Sequence, residues 1–409
     1  MHANSTQNRS ETSAVRSKSI YQYMKSPQFL KYYYKFKTVS MLDKEEIEGS
    51  SPPDLFVGRY GYPHVYIGPL VPPQLGDTTV LGTPEMWADK SIEEIVKYRS
   101  LLVRGIYETN VNNVDKGKVE EIMTELAIAD KYTYAEVELK KKPDMGLRFD
   151  DNSQPFGPSA PLKNLKIEDV SPNRDVEKAY FDTDLHAKDA IVELYNKKVI
   201  VSKIQKALSA GVLGTHGKRK FVPTRWSITA VDDTISKANL EKVMTYNTID
   251  ATTIYESIAL DTRWIVLMMP GEWSYELIEA WYPNTTWNRD NPNIQIYSSH
   301  EFSKGRKTYA EIGGCYYAAR LAVSEHLNRI GKIASVVILR ETHPGYIMPV
   351  GVWNVREHVR ETLKTQPIKF DSIYDALRYV DNKMDISIST WIRNSTILRH
   401  HMLQKRLIV

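Results

Sequence analysis

A mixed α/β fold of the α+β kind, with a large N-terminal body and a smaller C-terminal α/β domain, is the architecture this sequence predicts. Two patterns support it. Apolar residues recur at helical spacing in some segments and as short continuous or alternating runs in others, and the two kinds follow one another irregularly without an internal repeat. The 409 residues, 42% hydrophobic and 25% charged, suffice for two or three cores at about 150 residues per domain.

Residues 1–48 form a basic N-terminal arm that ends in the acidic run Asp43 to Glu48 and carries Tyr32, Tyr33 and Tyr34 in its middle. The stretch SPPDLFVGRYGYPHVYIGPLVPP then sets apolar residues between Gly and Pro, the pattern of short strands joined by tight turns. Helical spacing follows over about Ser91–Ile106, opened by Ser91 and Glu94 at capping-box distance, and over about Lys118–Ala129. A Pro- and Asp-rich loop separates these from helices at about Leu185–Tyr195 and Ser202–Leu208. RWIVLMMP (263–270) reads as a buried strand and SYELIEAW (274–281) as the helix after it. The aperiodic segment 282–293 is dense in turn formers and marks the internal boundary, so the body spans 49–290 and the C-terminal domain 291–409. In that domain the spacing predicts a helix near Tyr309–Ile330, strands at 334–341 and 346–353, and helices near 355–364 and 372–384.

Several function classes are excluded or disfavoured. The single cysteine, Cys315, rules out an internal disulfide framework and a Cys-rich zinc cluster. No run of 18 apolar residues exists for a membrane span, and the polar N-terminus has no signal-peptide core, so a cytoplasmic protein without membrane contact is expected. P-loop and G-x-G-x-x-G fingerprints are absent, and no cofactor is expected.

The formal net charge of +4 hides an uneven distribution. Residues 1–40 carry +6, Leu194–Val231 carries +8 with no acid at all, and the chain after Asp385 carries +4, which leaves −14 for the remainder. Within the middle segment, HGKRKFVPTRW (216–226) is the best candidate for contact with nucleic acid. Lys218, Arg219, Lys220 and Arg225 offer cations for phosphates, Trp226 or Phe221 offers a ring for an unpaired base, and Gly214 and Gly217 allow close backbone approach. The competing arrangement is a basic turn with both aromatics buried in the core.

The rival chemistry is metal-dependent phosphoryl transfer, which needs carboxylates converging on Mg²⁺. Asp182, Asp184, Asp232 and Glu341 are the candidates. Asp182 and Asp184 suit one side of an extended chain, whereas Asp232 and Asp233, if on a strand, point to opposite faces. Arg340 and Arg356 are second-choice phosphate binders beside Glu341 and Glu357.

Five long segments carry a resemblance: GSSPPDLFVGRYGYPHVYIGPL (49–70), GVLGTHGKRKFVPTRWSITAVDDTISK (211–237), EWSYELIEAWYP (272–283), GGCYYAARLAVSEHL (313–327) and ILRETHPGYIMPVGVWNVREHVRETL (338–363). In order and content they are similar to the archaeal Nre family, the NreA-type DNA repair proteins, over roughly residues 45–400. The resemblance implies a part in DNA repair, DNA as a partner, and contact with the PCNA sliding clamp through a C-terminal peptide. Two departures stand out. The four-cysteine zinc element that family members often carry ahead of the GSSPP segment has no cysteine here, so that zinc site is absent. The clamp peptide is shortened: Gln404 and Leu407 have the expected spacing and Ile408 follows, but the aromatic pair is missing. The alternatives that remain are a structure-specific nuclease using Mg²⁺ and a protein-binding scaffold that works through Tyr32–Tyr34 and the C-terminal helix.

Overall fold

The computed structural model describes residues 44–144, 153–154 and 157–406, in two compact units that divide between Ile235 and Ser236. Most of the basic arm, and Leu407 and Ile408 of the tail, lie outside the described residues. The architecture is mixed α+β, as the irregular alternation of patterns predicts.

The first unit is organised on a six-stranded sheet of β1 (Glu46–Ser51), β2 (Leu55–Val57), β3 (His64–Val71), β4 (Val103–Asn110), β5 (Thr133–Leu139) and β6 (Ser159–Glu168), in the order β1-β5-β6-β4-β3-β2. All neighbours run antiparallel except β4 and β6. β3 and β4 approach so closely that a Cβ on Gly68 would lie 1.6 Å from the Gly105 carbonyl oxygen, which leaves glycine as the residue for that position. The helices are α1 (Thr79–Gly82), α2 (Ile92–Ser100), α3 (Lys118–Ile128), α4 (Arg174–Phe181), α5 (Ala187–Asn196), α6 (Val201–Ser209) and the start of α7 (Thr224–Val243). Ser91 and Glu94 form the capping box that their spacing predicts. Helix α2 stops at Ser100 rather than Ile106, because the next apolar residues enter β4.

A buried ion network ties this unit together. Arg99 donates to Asp54 Oδ2 (2.6 Å) and to the Leu81 carbonyl (3.0 Å), and Lys206 lies 3.5 Å from Asp54 Oδ1 while donating to the Gly82 carbonyl (2.8 Å). Burial alone would raise the Asp54 pKa, but the two cations together hold it below the usual carboxylate range. The network joins the β1–β2 turn to α1, α2 and α6.

The second unit is organised on its own six-stranded sheet, of different strand order, with β7 (Thr252–Ala259), β8 (Thr262–Met269), β9 (Ser274–Trp281), β10 (Gln295–Phe302), β11 (Ser335–Thr342) and β12 (Ile368–Phe370), ordered β10-β9-β11-β8-β7-β12. Only β9 and β11 are parallel. The helices are the remainder of α7, α8 (Gly314–Ile330), α9 (Trp353–Thr362), α10 (Ile373–Lys383), α11 (Ile388–Asn394) and α12 (Thr396–Arg406). Every residue of β9 and β11 is buried, so both faces of the sheet are covered. On one face Ile254, Leu267, Ile278, Val337 and Leu339 pack against Leu377, Trp391, Ile397 and Leu398 of α10–α12. Helices α8 and α9 pack on each other and over the other face.

Three local expectations are corrected. SYELIEAW is strand β9, not a helix. Its polar positions mimic helical spacing because both glutamates are buried with partners on opposite faces: Glu276 accepts from Ser395 Oγ and from the Thr396 and Ile397 amides at the start of α12, and Glu279 pairs with Arg340. Residues 346–352 form no strand, since Pro349 has no amide to donate and Gly351 sits at a φ of +99°. Asp232 and Asp233 lie on helix α7. Asp54→Asn, which removes the charge between Arg99 and Lys206, is expected to destabilise the protein by about 3–5 kcal/mol, read as a loss of denaturation midpoint with an unchanged transition slope.

Candidate functional site

The basic segment of the first unit separates into an inward and an outward part. His216–Lys218 forms a 3-10 turn, with Lys218 and Lys220 exposed. Arg219 is turned inward: Nε donates to the Gly214 carbonyl (2.9 Å), Nη2 donates to the carbonyls of Tyr180 and Asp182, and the guanidinium lies 4.6 Å from the centre of the Tyr180 ring. Phe221 is 1% exposed and serves the core, which removes it as a stacking ring. Trp226, in the first turn of α7, is 45% exposed and lies 5.3 Å from Tyr62, itself 49% exposed. Tyr62 belongs to the β2–β3 connection, where Tyr60 stands in solvent with the Arg59 guanidinium 5.0 Å from its ring centre. The Val57 amide donates to Thr224 Oγ1 (2.9 Å), which pins this hairpin to the beginning of α7. Two segments distant in sequence thus bring the Tyr62 and Trp226 rings together, with Arg59 and Tyr60 in the same turn as Tyr62.

Tyr60 and Tyr62 were not singled out by charge counting, since they lie outside the basic segments. The signal available for them is a pair of tyrosines in the Gly/Pro-rich turn GRYGYPH, where a large ring has no strand to pack on.

The acids are dispersed. Asp182 Oδ1 accepts from the amides of Asp184 (3.4 Å) and Leu185 (3.1 Å), the hydrogen bonds of a turn. Asp232 is fully buried and accepts from Gln205 Nε2 (2.9 Å). Among the described residues one group of three potential ligand atoms lies within 4.8 Å of one another: Glu341, His343 and Asp385. Asp182, Asp184 and Asp232 take no part in it. His343 stands two residues after Glu341, in the turn leaving β11, and Asp385 follows α10, a separation that no local spacing in the sequence reveals.

Beside Glu341, on the opposite face of β11, Arg340 is 2% exposed and donates to Glu279 Oε1 (2.8 Å). Its guanidinium lies 4.9 Å from the Trp264 ring centre, 4.7 Å from Trp281 and 5.5 Å from Tyr346. Arg356 is also fully buried and donates to Glu357 (3.0 Å). Both arginines, second-choice phosphate binders from the sequence, therefore sit inside the core.

These sites lie in a chain that belongs to the archaeal Nre family: the model described as "Archaeal Nre, N-terminal" matches residues 24–288 and "Archaeal Nre, C-terminal" matches 301–408. Among curated proteins it is similar to DNA repair protein NreB of Archaeoglobus fulgidus, 44% identical over 87% of this chain and 90% of the relative. It is also similar to the proteins named DNA repair protein NreA from the same organism (37% identical; 86% and 89% covered) and from Haloferax volcanii (34%; 86% of each). No solved structure matches the chain. Among the described residues no helix is long and apolar enough to cross a membrane.

Two buried histidines give the second unit a pH response. Burial, reinforced by the Arg340 charge, lowers His358 to about 4, and burial with the Arg329 charge lowers His326 to about 4. Both are neutral in the folded state above that pH, whereas in the unfolded chain they take up protons near 6.5. Between those limits the unfolded state binds more protons, so stability falls as pH drops from about 6.5 to 4, by up to about 3 kcal/mol for each histidine. Thermal midpoints measured across this range should fall steadily, and the slope should flatten in the double variant His326→Asn, His358→Asn.

Proposed function

We propose that this chain acts in DNA repair and engages nucleic acid through the first unit, with the rings of Tyr60, Tyr62 and Trp226 stacking on unpaired bases and Arg59, Lys218, Lys220 and Arg225 contacting phosphates. The repair role is supported by membership of the Nre family, whose relatives carry the name DNA repair protein. The contact surface is supported above all by one observation: Trp226 and Tyr62, from separate segments, meet as half-exposed rings at 5.3 Å instead of closing into the core. Rings held this way offer π-faces to any base, and the neighbouring cations supply the salt-dependent part of the affinity. Asp182 and Asp184, near the Arg219 end, shift the favourable region away from Arg219 and toward Lys220 and Trp226.

The proposal extends to recruitment by the PCNA sliding clamp through Gln404, Leu407 and Ile408. Its support is the Gln-to-aliphatic spacing and the course of α12, which carries the chain out to Arg406 with Leu403 exposed. Without the aromatic pair the contact is weak and apolar.

On single-stranded DNA, Tyr62→Ala with Trp226→Ala is expected to weaken binding about 10- to 100-fold by fluorescence anisotropy, at about 1–3 kcal/mol per stacked base. Lys218→Glu with Lys220→Glu should reduce the steepness of the log-affinity against log-salt plot by about 2. Affinities equal to that of the parent in both variants would remove this surface. Deletion of 404–409 should abolish retention on immobilised PCNA and leave DNA affinity unchanged; unchanged retention would remove the tail from the account.

A further inference from the structure

We propose that Glu341, His343 and Asp385 form a binding site for a divalent transition cation, Zn²⁺ or Mn²⁺, in the second unit. This goes beyond the nucleic-acid reading and involves none of its residues. His343 Nε2 is buried without a hydrogen-bond partner, and it lies 3.8 Å from both Glu341 Oε1 and Asp385 Oδ2. That separation is too long for a hydrogen bond, yet it suits two atoms sharing one ion, since ligands at about 2.1 Å from a metal lie about 3–4 Å apart.

The surroundings fix each ligand in place while leaving its metal-facing atom available. Asp385 is divided between its oxygens: Oδ1 pairs with Arg263 (2.8 Å), and Oδ2 faces the histidine. Glu341 Oε2 accepts from the Asp385 amide (3.2 Å), which couples the end of β11 to the residue following α10. Glu341 Oε1 accepts from the Tyr282 hydroxyl (2.8 Å) and retains a lone pair. The Tyr282 ring stacks on His343 at 4.5 Å and 26°, which sets the plane of the imidazole. The turn itself is clamped by Asp261, whose carbonyl accepts from the His343 amide (3.0 Å) and whose Oδ2 accepts from the Gly345 amide (2.6 Å).

Charge and access agree with this assignment. Two carboxylates against one arginine leave an excess of negative charge around the imidazole, which attracts a dication. One nitrogen and two oxygens, with no sulfur, favour Zn²⁺ or Mn²⁺ over soft ions, and the imidazole disfavours Ca²⁺. Glu341 has no exposure, His343 is 17% and Asp385 49% exposed, so the group opens to solvent on one side. Three protein ligands and an open side leave room for water in the remaining positions, the layout of a site able to hold a further oxygen ligand.

The test uses the full chain stripped with a chelator and titrated with ZnCl₂ alone, and separately with MnCl₂ alone, by calorimetry, with Mn²⁺ paramagnetic resonance as a second readout. The parent should show a site that is absent in both His343→Ala and Asp385→Asn, while Tyr282→Phe keeps the site with affinity lowered about 10-fold. Circular dichroism on each variant establishes that it is folded, and because Asp385 is half-exposed its variant preserves the test if His343→Ala is not. Failure of the parent to bind either cation would overturn the proposal. Binding in both variants equal to that of the parent would also overturn it, by placing the cation elsewhere.

Discussion

The second unit depends on a charge placed where no water reaches. Arg340 and Glu279 sit side by side on the parallel neighbours β11 and β9, and Trp264 occupies the matching position on the antiparallel neighbour β8. Removing either charge alone would leave its partner buried and uncompensated, so the two must be kept or replaced together. The pair also fixes register, because a slip of one residue between β9 and β11 would turn one of the two to the opposite face. Tyr346, in the irregular run after β11, lies against the same guanidinium, which gives that segment a defined position without a ladder of its own. The first unit has its counterpart in Asp54, held between Arg99 and Lys206.

These buried charges also explain where the sequence could and could not be read. Segments with a clear helical period or a continuous apolar run were legible: α2 with its capping box, α3, α5, α6, α10, and the strands β8 and β11. Strand β9 was not, because its two glutamates resemble the polar face of a helix and only their distant partners, Arg340 and the start of α12, reveal otherwise. Helix α7 was missed because a basic, Pro-containing approach and the pair Asp232–Asp233 read locally as turn and strand, whereas Asp232 is satisfied inside the core by Gln205.

The candidate sites divide in the same way. Lys218, Lys220 and Trp226 were visible as charge and ring in one segment, but their platform is completed by Tyr60 and Tyr62, brought over by the Val57–Thr224 hydrogen bond. Glu341 was visible as an acid among many. What distinguishes it is company: His343 has no histidine or cysteine at ligand spacing in the sequence, and Asp385 is reached only through the return of the chain after α10. Ligand sets assembled across long sequence separations leave no periodic trace in the sequence.

The anchoring of α12 by Glu276 has a mechanical consequence. A carboxylate rooted in β9 accepts from the Ser395 hydroxyl and the amides of Thr396 and Ile397, and Ile397 and Leu398 are fully buried, so the helix is clamped at its beginning. From there its eleven residues extend about 16 Å, toward a far end where Leu403 is exposed. The far turn of α12, out to Arg406, is therefore mounted on a stiff boom. Whatever grips that turn would feel the sheet through a lever with a fixed pivot, and its distance and bearing from β9 would be set by the fold.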